Sequence, residues 1–405
     1  MAAQGTTTGY LLLVVLIALV ALARRRRLLV AGTGPGAVMV HRSSLITMPS
    51  AHQHFAPYPA DVPTPSFDGV MVPSARGANA IRRATVTARA AGSHLVVLAS
   101  GQTRTRDVEV LLAGSGRAPD DFLVLNVADL RLFAELGLRT SAHPLAAQVG
   151  DLAEKRNVGL VVARLMGWRN VLFLDDDVWS IPRADLVRAA ALLSGADRGG
   201  VGRRLVGWAV DGFRDLSAVG HARSHGTDHA VSFIGGGAMA LACDPPPPFF
   251  PPLYNEDLVL GLELLRGDPG GVRLVGRVGQ DDYDPFGDLS RAAGQEFGEV
   301  LVEGLARRSR TDVATRPEFW QPVLVERRTM LRGLADRMAR RGVRGGADVA
   351  RTALATHGED WPKLLAGFVA DWNHDLPVWR AFLLGLPTVD GFDRVAAVLG
   401  QRSVA

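Results

Sequence analysis

Short, wholly apolar runs separated by segments of helical pattern constrain this chain more than any other feature. "GVMVPS" (69–74), "HLVVLAS" (94–100), "DFLVLNV" (121–127) and "NVLFL" (170–174) read as strands, the last of them buried. "ANAIRRATVTARAAG" (78–92) and "LAEKRNVGLVVARLMGW" (152–168) read as the helices between them. Strands alternating with helices predict an α/β fold with a doubly wound, mostly parallel sheet. In such sheets ligands bind beyond the carboxyl ends of the strands. Residues 74–77, 100–103 and 175–177 fall at those ends.

The fourth run ends in Asp175, Asp176 and Asp177. Three adjacent carboxylates repel, and none is easily buried unpaired. Two readings account for them. In the first, Asp175 and Asp177, two residues apart on a turn, aim at one point and bind Mg²⁺ or Mn²⁺, which prefers hard oxygen ligands and leaves positions for phosphate oxygens. A diphosphate held there becomes a stabilised leaving group. In the second, the aspartates cap a helix starting within "DDDVWSIPRADLVRAA", where the helix dipole favours negative charge.

Other chemistries are excluded. Cys243 is the only cysteine, so no intrachain disulfide and no thiolate cluster for zinc can form. No G-x-G-x-x-G opens a helix after the first strand and no P-loop occurs, which removes a dinucleotide-binding domain and a P-loop nucleotidase. Net charge is +4, too mild to indicate a nucleic-acid partner.

"EKRNVGLVVARLMGWRNVLFLDDDV" (154–178) resembles the core of family 2 glycosyltransferases of the GT-A fold: an R-N-x-G helix, then an apolar strand ending in D-x-D. The resemblance covers about residues 69–300 and implies a metal-dependent transfer of sugar from a nucleotide-diphosphate sugar. "SFIGGGAMAL" (232–241), followed by Glu256 and Asp257 opening the helix "EDLVLGLELL", is similar to the family's acceptor-side segment and its E-D pair. On that resemblance Asp257 is the general base, taking a proton from an acceptor hydroxyl, and Glu256 orients the acceptor. Direct displacement of this kind inverts configuration. The resemblance also implies donor contacts from Ser74 and Arg76 ("VPSARG"), Ser100 and Gln102 ("ASGQTRTRD"), Lys155, Arg156 and Asn157, and Asp175 and Asp176, with Asp175 and Asp177 on the metal. The chain departs from the family pattern in two places. It lacks the usual acidic base-binding residue after the second strand, and it lacks a histidine soon after Asp257. Gln280, Asp281 or Asp282 stands at about that stage, with water as the other substitute ligand. The Q-x-x-R-W signature of processive synthases is absent, which predicts a single-transfer enzyme.

Outside this region, "GTTTGYLLLVVLIALVALA" (5–23) carries no charge and would span about 28 Å as a helix. The arginines at 24–27 follow it, which predicts a single-pass transmembrane helix over 5–27 and a cytoplasmic catalytic domain at the cell membrane. Residues 28–68 are Pro-, Gly- and Ser-rich and read as a linker in which His52 and His54 are solvated. His221, His225 and His229 stand at spacing four, but the surrounding composition predicts a substrate loop in preference to a helical metal face. Residues 301–405 read as a helical carboxyl-terminal extension. Its segment 322–343 is amphipathic and basic, suited to packing on the catalytic domain or to lying on anionic lipid.

Donor, metal and membrane are thus the expected partners, with a glycan, lipid or small-molecule acceptor. Two other classes fit the same aspartates. One is a nucleotidyltransferase, against which the missing Gly-rich nucleotidyl loop counts. The other is a membrane-tethered binding protein on a degenerate glycosyltransferase fold.

Overall fold

The strand most completely apolar in sequence is the middle of the sheet. The computed structural model describes residues 66–130, 136–144, 150–195, 202–211, 216–225, 234–307 and 311–400. Within them seven strands form one sheet: β1 (Gly69–Ser74), β2 (His94–Ala99), β3 (Phe122–Asn126), β4 (Asn170–Leu174), β5 (Leu205–Asp211), β6 (Ala238–Ala242) and β7 (Val272–Gly279). Their order is β3-β2-β1-β4-β6-β5-β7, and Val171, Leu172, Phe173 and Leu174 of the central β4 have no exposed surface. All pairings are parallel except those of β6, which runs antiparallel to β4 and β5. The doubly wound, mostly parallel sheet expected from the sequence is what forms. The chain leaves β1 toward β2 and β3 and returns on its other side at β4, so β1 and β4 flank the switch point.

Alternation along the strands divides the core in two. Val70, Val72, Leu172 and Leu174 face α1 (Arg82–Ala91) and α4 (Arg183–Ser194). Met71, Val171 and Phe173 face the opposite layer, which includes α3 (Leu152–Leu165), α6 (Glu256–Gly267) and α7 (Leu289–Ala306). The carboxyl-terminal helices α8 (Pro317–Arg340), α9 (Gly346–Ala355), α10 (Trp361–Gly385) and α11 (Phe392–Val398) join that second layer. Trp320, Trp361, Trp372 and Trp379 pack with Phe249, Phe250 and Phe297 in one cluster, so these tryptophans are core residues.

Several expectations change. The helix expected over 78–92 opens as a single 3-10 turn, Ala78–Ile81, before α1. The strand expected from 232 begins only at Ala238, because Gly235 to Gly237 form a turn first. α2 (Thr105–Gly114), β5 and β7 have no counterpart in the sequence reading. β7 is an edge strand, half-exposed and interrupted by Arg273, Gly276 and Arg277, so its pattern resembles a loop. His221 lies inside α5 (Ala218–Ser224), not in a loop, and His225 ends that helix. The boundary expected after residue 300 falls within α7. In α8 the apolar stripe Val323, Leu324, Leu331, Leu334 and Met338 is buried inside the protein, which leaves Arg332, Arg337 and Arg340 outward while Arg327 is buried with the stripe, and takes the apolar face from any membrane. The expected anchor (5–27), linker residues 28–65, His52, His54 and His229 lie outside the described residues. Among the described residues no helix is long and apolar enough to cross a membrane.

The helical layer holds one functional element closely. Gly298 of α7 lies against the Tyr254 carbonyl, just before α6, and a Cβ there would overlap that oxygen. Asn255 then takes a left-handed conformation (φ 67°), which Asn tolerates better than most residues, and its amide reaches Glu299 at 3.4 Å. Gly298→Ala must therefore push α7 away from the start of α6. A loss of about 1–3 kcal/mol is expected from such overpacking, read as a lowered denaturant midpoint. An unchanged midpoint would mean that the contact is slack.

Candidate active site

The aspartate run does not cap a helix. α4 begins eight residues after Asp175, and its N-cap is Pro182 with no side-chain capping bond. Instead β4 delivers Asp175 into a turn, where its amide donates to the Gly237 carbonyl (2.9 Å) and the Val178 amide donates to the Asp175 carbonyl (3.2 Å). The next residues pair with the end of β7: Trp179 N–H to Gly279 O (2.8 Å) and Asp281 N–H to Asp177 O (3.0 Å), with Val178 opposite Gln280.

Two arginines compensate the charge. Arg76, from the turn after β1, pairs with Asp176 (2.6 Å) and Asp177 (3.0 Å). Asp176 is buried and also accepts the Ser74 hydroxyl at 2.6 Å, while Ser74 and Thr103 hydroxyls lie 3.0 Å apart. Ser74 and Asp176, expected on the donor, are therefore an internal brace between β1 and the aspartate turn. Arg76 stays more than half exposed and can reach a ligand.

Arg156 of α3 is the other cation, and it is buried. Its Nη2 donates to Asp175 (3.0 and 3.2 Å), and its Nη1 makes a short contact to Glu256. The guanidinium lies under Gly236, where a Cβ would overlap it, and 5.8 Å from the Phe250 ring centre. Arg156 thus binds carboxylates instead of the expected diphosphate. Glu256, expected to orient an acceptor, is its buried partner. Burial pushes Glu256 upward, opposed by Arg156. Burial likewise pushes Asp175 up to about 6, against the pull of Arg156.

Asp257 sits one residue into α6. Its carboxylate accepts the Leu258 amide at 2.8 Å and a backbone bond from Gly236. Burial still raises it above the ordinary aspartate range, despite Arg156 and those backbone donors. It borders a small, mainly apolar hollow lined by Leu205, Ile234, Met239 and Val272. A carboxylate with raised proton affinity beside an apolar hollow has the environment of a general base.

The remaining expected donor residues separate. Asn157 has no exposed surface, and its amide exchanges two 2.7 Å bonds with the Phe250 backbone, so it is a clasp between α3 and the segment before α6. Lys155 is buried and holds Asp151 at 2.9 Å. Ser100 bonds the same carboxylate; burial pushes Asp151 up, but these bonds outweigh it and the net shift is downward. Neither Lys155 nor Ser100 is free for a diphosphate or base in this arrangement. Gln102 is exposed at the carboxyl end of β2, where a nucleoside can reach it.

Of the third-ligand candidates, Gln280 is buried with its oxygen turned toward Gly237, the same glycine that the Asp175 carboxylate faces. Asp281 is committed to Arg83 (2.6 Å) and the Trp179 indole (3.2 Å). Asp282 is exposed. Among the described residues no three His, Cys, Asp or Glu side chains converge as a closed metal cage. What exists is an open, all-oxygen set, the partly exposed carboxylates of Asp175 and Asp177, with the Gln280 oxygen near Gly237 on the Asp175 side only. That set suits Mg²⁺ or Mn²⁺, which keep positions for water and phosphate.

No family model matches the chain, and no curated protein matches it. Solved structures of glucosyl-3-phosphoglycerate synthase from Mycobacterium tuberculosis are similar at low identity. The complex with Mn²⁺, UDP and phosphoglyceric acid is 17% identical, covering 62% of this chain and 78% of that chain, with a TM-score of 0.37. The complex with Mg²⁺ and UDP is 18% identical, covering 53% of this chain and 72% of that chain, with a TM-score of 0.34. These neighbours contain Mn²⁺ or Mg²⁺ together with UDP.

Two outcomes test the electrostatics. Arg156→Gln removes the shared cation from the buried Glu256 and the partly buried Asp175 and is expected to destabilise the fold by about 3–5 kcal/mol in denaturant melts. A loss below about 1 kcal/mol would show that the pair is dispensable. Asp175 binds its proton more tightly folded (about 6) than unfolded (3.8), so its contribution to stability is complete below pH 3.8 and is lost as pH rises through 6. Asp175→Asn should therefore gain stability relative to wild type between pH 4 and 7. A constant gap across that window contradicts the shift.

Proposed function

We propose that this chain is a metal-dependent, inverting glycosyltransferase of the family 2 type. It would move a sugar from a nucleotide-diphosphate sugar to an acceptor hydroxyl in a single transfer. One observation carries the reading. At the carboxyl ends of the central strands, Asp175, Asp176, Asp177, Glu256 and Asp257 share, among the described residues, only Arg76 and Arg156, and Asp175 and Asp177 retain 24% and 20% exposure. The site is short of positive charge and offers hard oxygen donors, which is the environment that a divalent cation with a diphosphate completes.

Asp175 and Asp177 would hold Mg²⁺ or Mn²⁺, with water in the remaining protein-facing positions. The ion would supply charge neutralisation of the departing diphosphate. Arg76, partly exposed beside Asp177, would turn its free donors to phosphate oxygens. Arg156 fixes Asp175 relative to the start of α6, so donor and acceptor sides keep one geometry. Asp257 would take the acceptor proton, and attack on the face opposite the leaving group inverts the anomeric centre. The acceptor is a glycan, a lipid or a small molecule. The charge pattern at 5–27 supports a single-pass anchor at the cell membrane with the catalytic domain, residues 69–300, in the cytoplasm.

A second reading rests on Arg76. It already sits on Asp176 and Asp177, where a cation would go, as expected of a binding protein on a degenerate glycosyltransferase fold. Calorimetric titration of the full chain with UDP-, GDP- and dTDP-sugars, with Mn²⁺ and then with EDTA, separates the two. Binding of one donor that requires metal and disappears in Asp177→Asn is expected. Metal-independent binding, or undiminished binding in that variant, would favour the second reading. Asp257→Asn should preserve donor affinity and lower turnover about 10²-fold or more. Wild-type turnover would remove the base assignment.

A further inference from the structure

Trp179 is out of place by the rules that govern the rest of the chain. Trp208, Trp320, Trp361, Trp372 and Trp379 are all at most 5% exposed, whereas Trp179 is 53% exposed. It is also held firmly. Its amide donates to Gly279 O, and its indole N–H donates to Asp281, which Arg83 holds in turn at 2.6 Å. One face of the ring lies on Gly279: a Cβ there would fall 2.5, 2.7 and 3.0 Å from Cε3, Cδ2 and Cζ3, directly above the ring. Any side chain at 279 would displace the indole. The structure therefore supports one face of an aromatic ring and leaves much of the residue in solvent.

The location is specific. Val178 is buried and paired with Gln280, so extended-chain alternation puts Asp177 and Trp179 together on the opposite side, about 7 Å apart. Gly279 and Asp281 share that side. The shelf therefore carries an aromatic face, a carboxylate and a guanidinium, two residues from a metal-ligand candidate. An indole beside hydrogen-bonding groups matches a sugar ring, which offers apolar C–H faces and peripheral hydroxyls.

We infer that Trp179 is a specificity residue that stacks on the sugar ring of the nucleotide-sugar donor, with Asp281 and Arg83 at the edge of the shelf to meet its hydroxyls. The inference rests on the proposed function and deepens it. With the diphosphate at Asp177, the sugar is the donor part that extends one residue pair further along the shelf.

The test compares each nucleoside diphosphate with its sugar conjugate: UDP with UDP-glucose, GDP with GDP-mannose and dTDP with dTDP-glucose, each with Mn²⁺. Affinities are measured for wild type, Trp179→Ala and Trp179→Phe, and acrylamide quenching of the exposed indole is followed in wild type. For the donor that binds, Trp179→Ala should weaken the sugar conjugate about tenfold while leaving the diphosphate unchanged, and Trp179→Phe should retain most of the affinity. The conjugate, and not the diphosphate alone, should shield Trp179 from acrylamide. Equal weakening of diphosphate and conjugate would make Trp179 a nucleobase platform and overturn the inference, as would no weakening of either. Those outcomes leave the glycosyltransferase reading intact. Failure of wild type to bind any of the six ligands removes both.

Discussion

A single buried guanidinium ties the two halves of the candidate site together. Arg156 projects from α3 into the gap between the end of β4 and the start of α6, where it holds Asp175 on one side and Glu256 on the other. Its Nε has no hydrogen-bond partner among the described residues. Burying a cation is expensive unless its partners are well placed, and losing one partner leaves an unpaired charge. The β4 turn, the 235–237 glycines and the head of α6 must therefore keep their relative positions for Arg156 to remain satisfied. Gly236 has no side chain because the guanidinium occupies that space.

The helical layer serves the same point from outside. Gly298 brings α7 onto the Tyr254 carbonyl, and Glu299 reaches Asn255, the residue preceding the Glu256–Asp257 pair. One turn away, Glu296 forms a bidentate pair with the buried Arg327 of α8, at 2.7 and 2.6 Å, and contacts His357 at 2.9 Å. The carboxyl-terminal helices are thus structurally continuous with the element that carries the candidate base. This explains why no break in the fold occurs at residue 300.

Much of the fold was legible because burial of a strand leaves a clear mark. β1, β2 and β4, buried within the sheet, and β3, at its edge, read as apolar runs and form within a residue or two of the expected limits. β7 did not, since an edge strand needs only partial burial and tolerates Arg273, Gly276 and Arg277, and the buried β5, between β6 and β7, was not read from the sequence either. In the site, Asp175, Asp177 and Asp257 were legible as carboxylates at a strand end and a helix start. The partition among their neighbours was not. Ser74, Lys155, Arg156 and Asn157 have the composition of a phosphate-binding surface, but each is buried against another protein group. Trp179 carries no local mark of its role, because nothing in the letters around it tells an exposed tryptophan from a core one. Its exposure, and the bare Gly279 backbone under one ring face, belong to the tertiary structure.

The sequence by itself determined the sheet's parallel core, the position of the acidic turn at its carboxyl edge and the acidic head of α6, because these depend on local periodicity and on where charge interrupts it. Tertiary structure alone decided which polar residues remain available. Arg156 and Arg76 are equivalent as letters, yet one is enclosed between two carboxylates and the other stands half in water. That difference arises from contacts between residues about 100 positions apart, which no local pattern encodes.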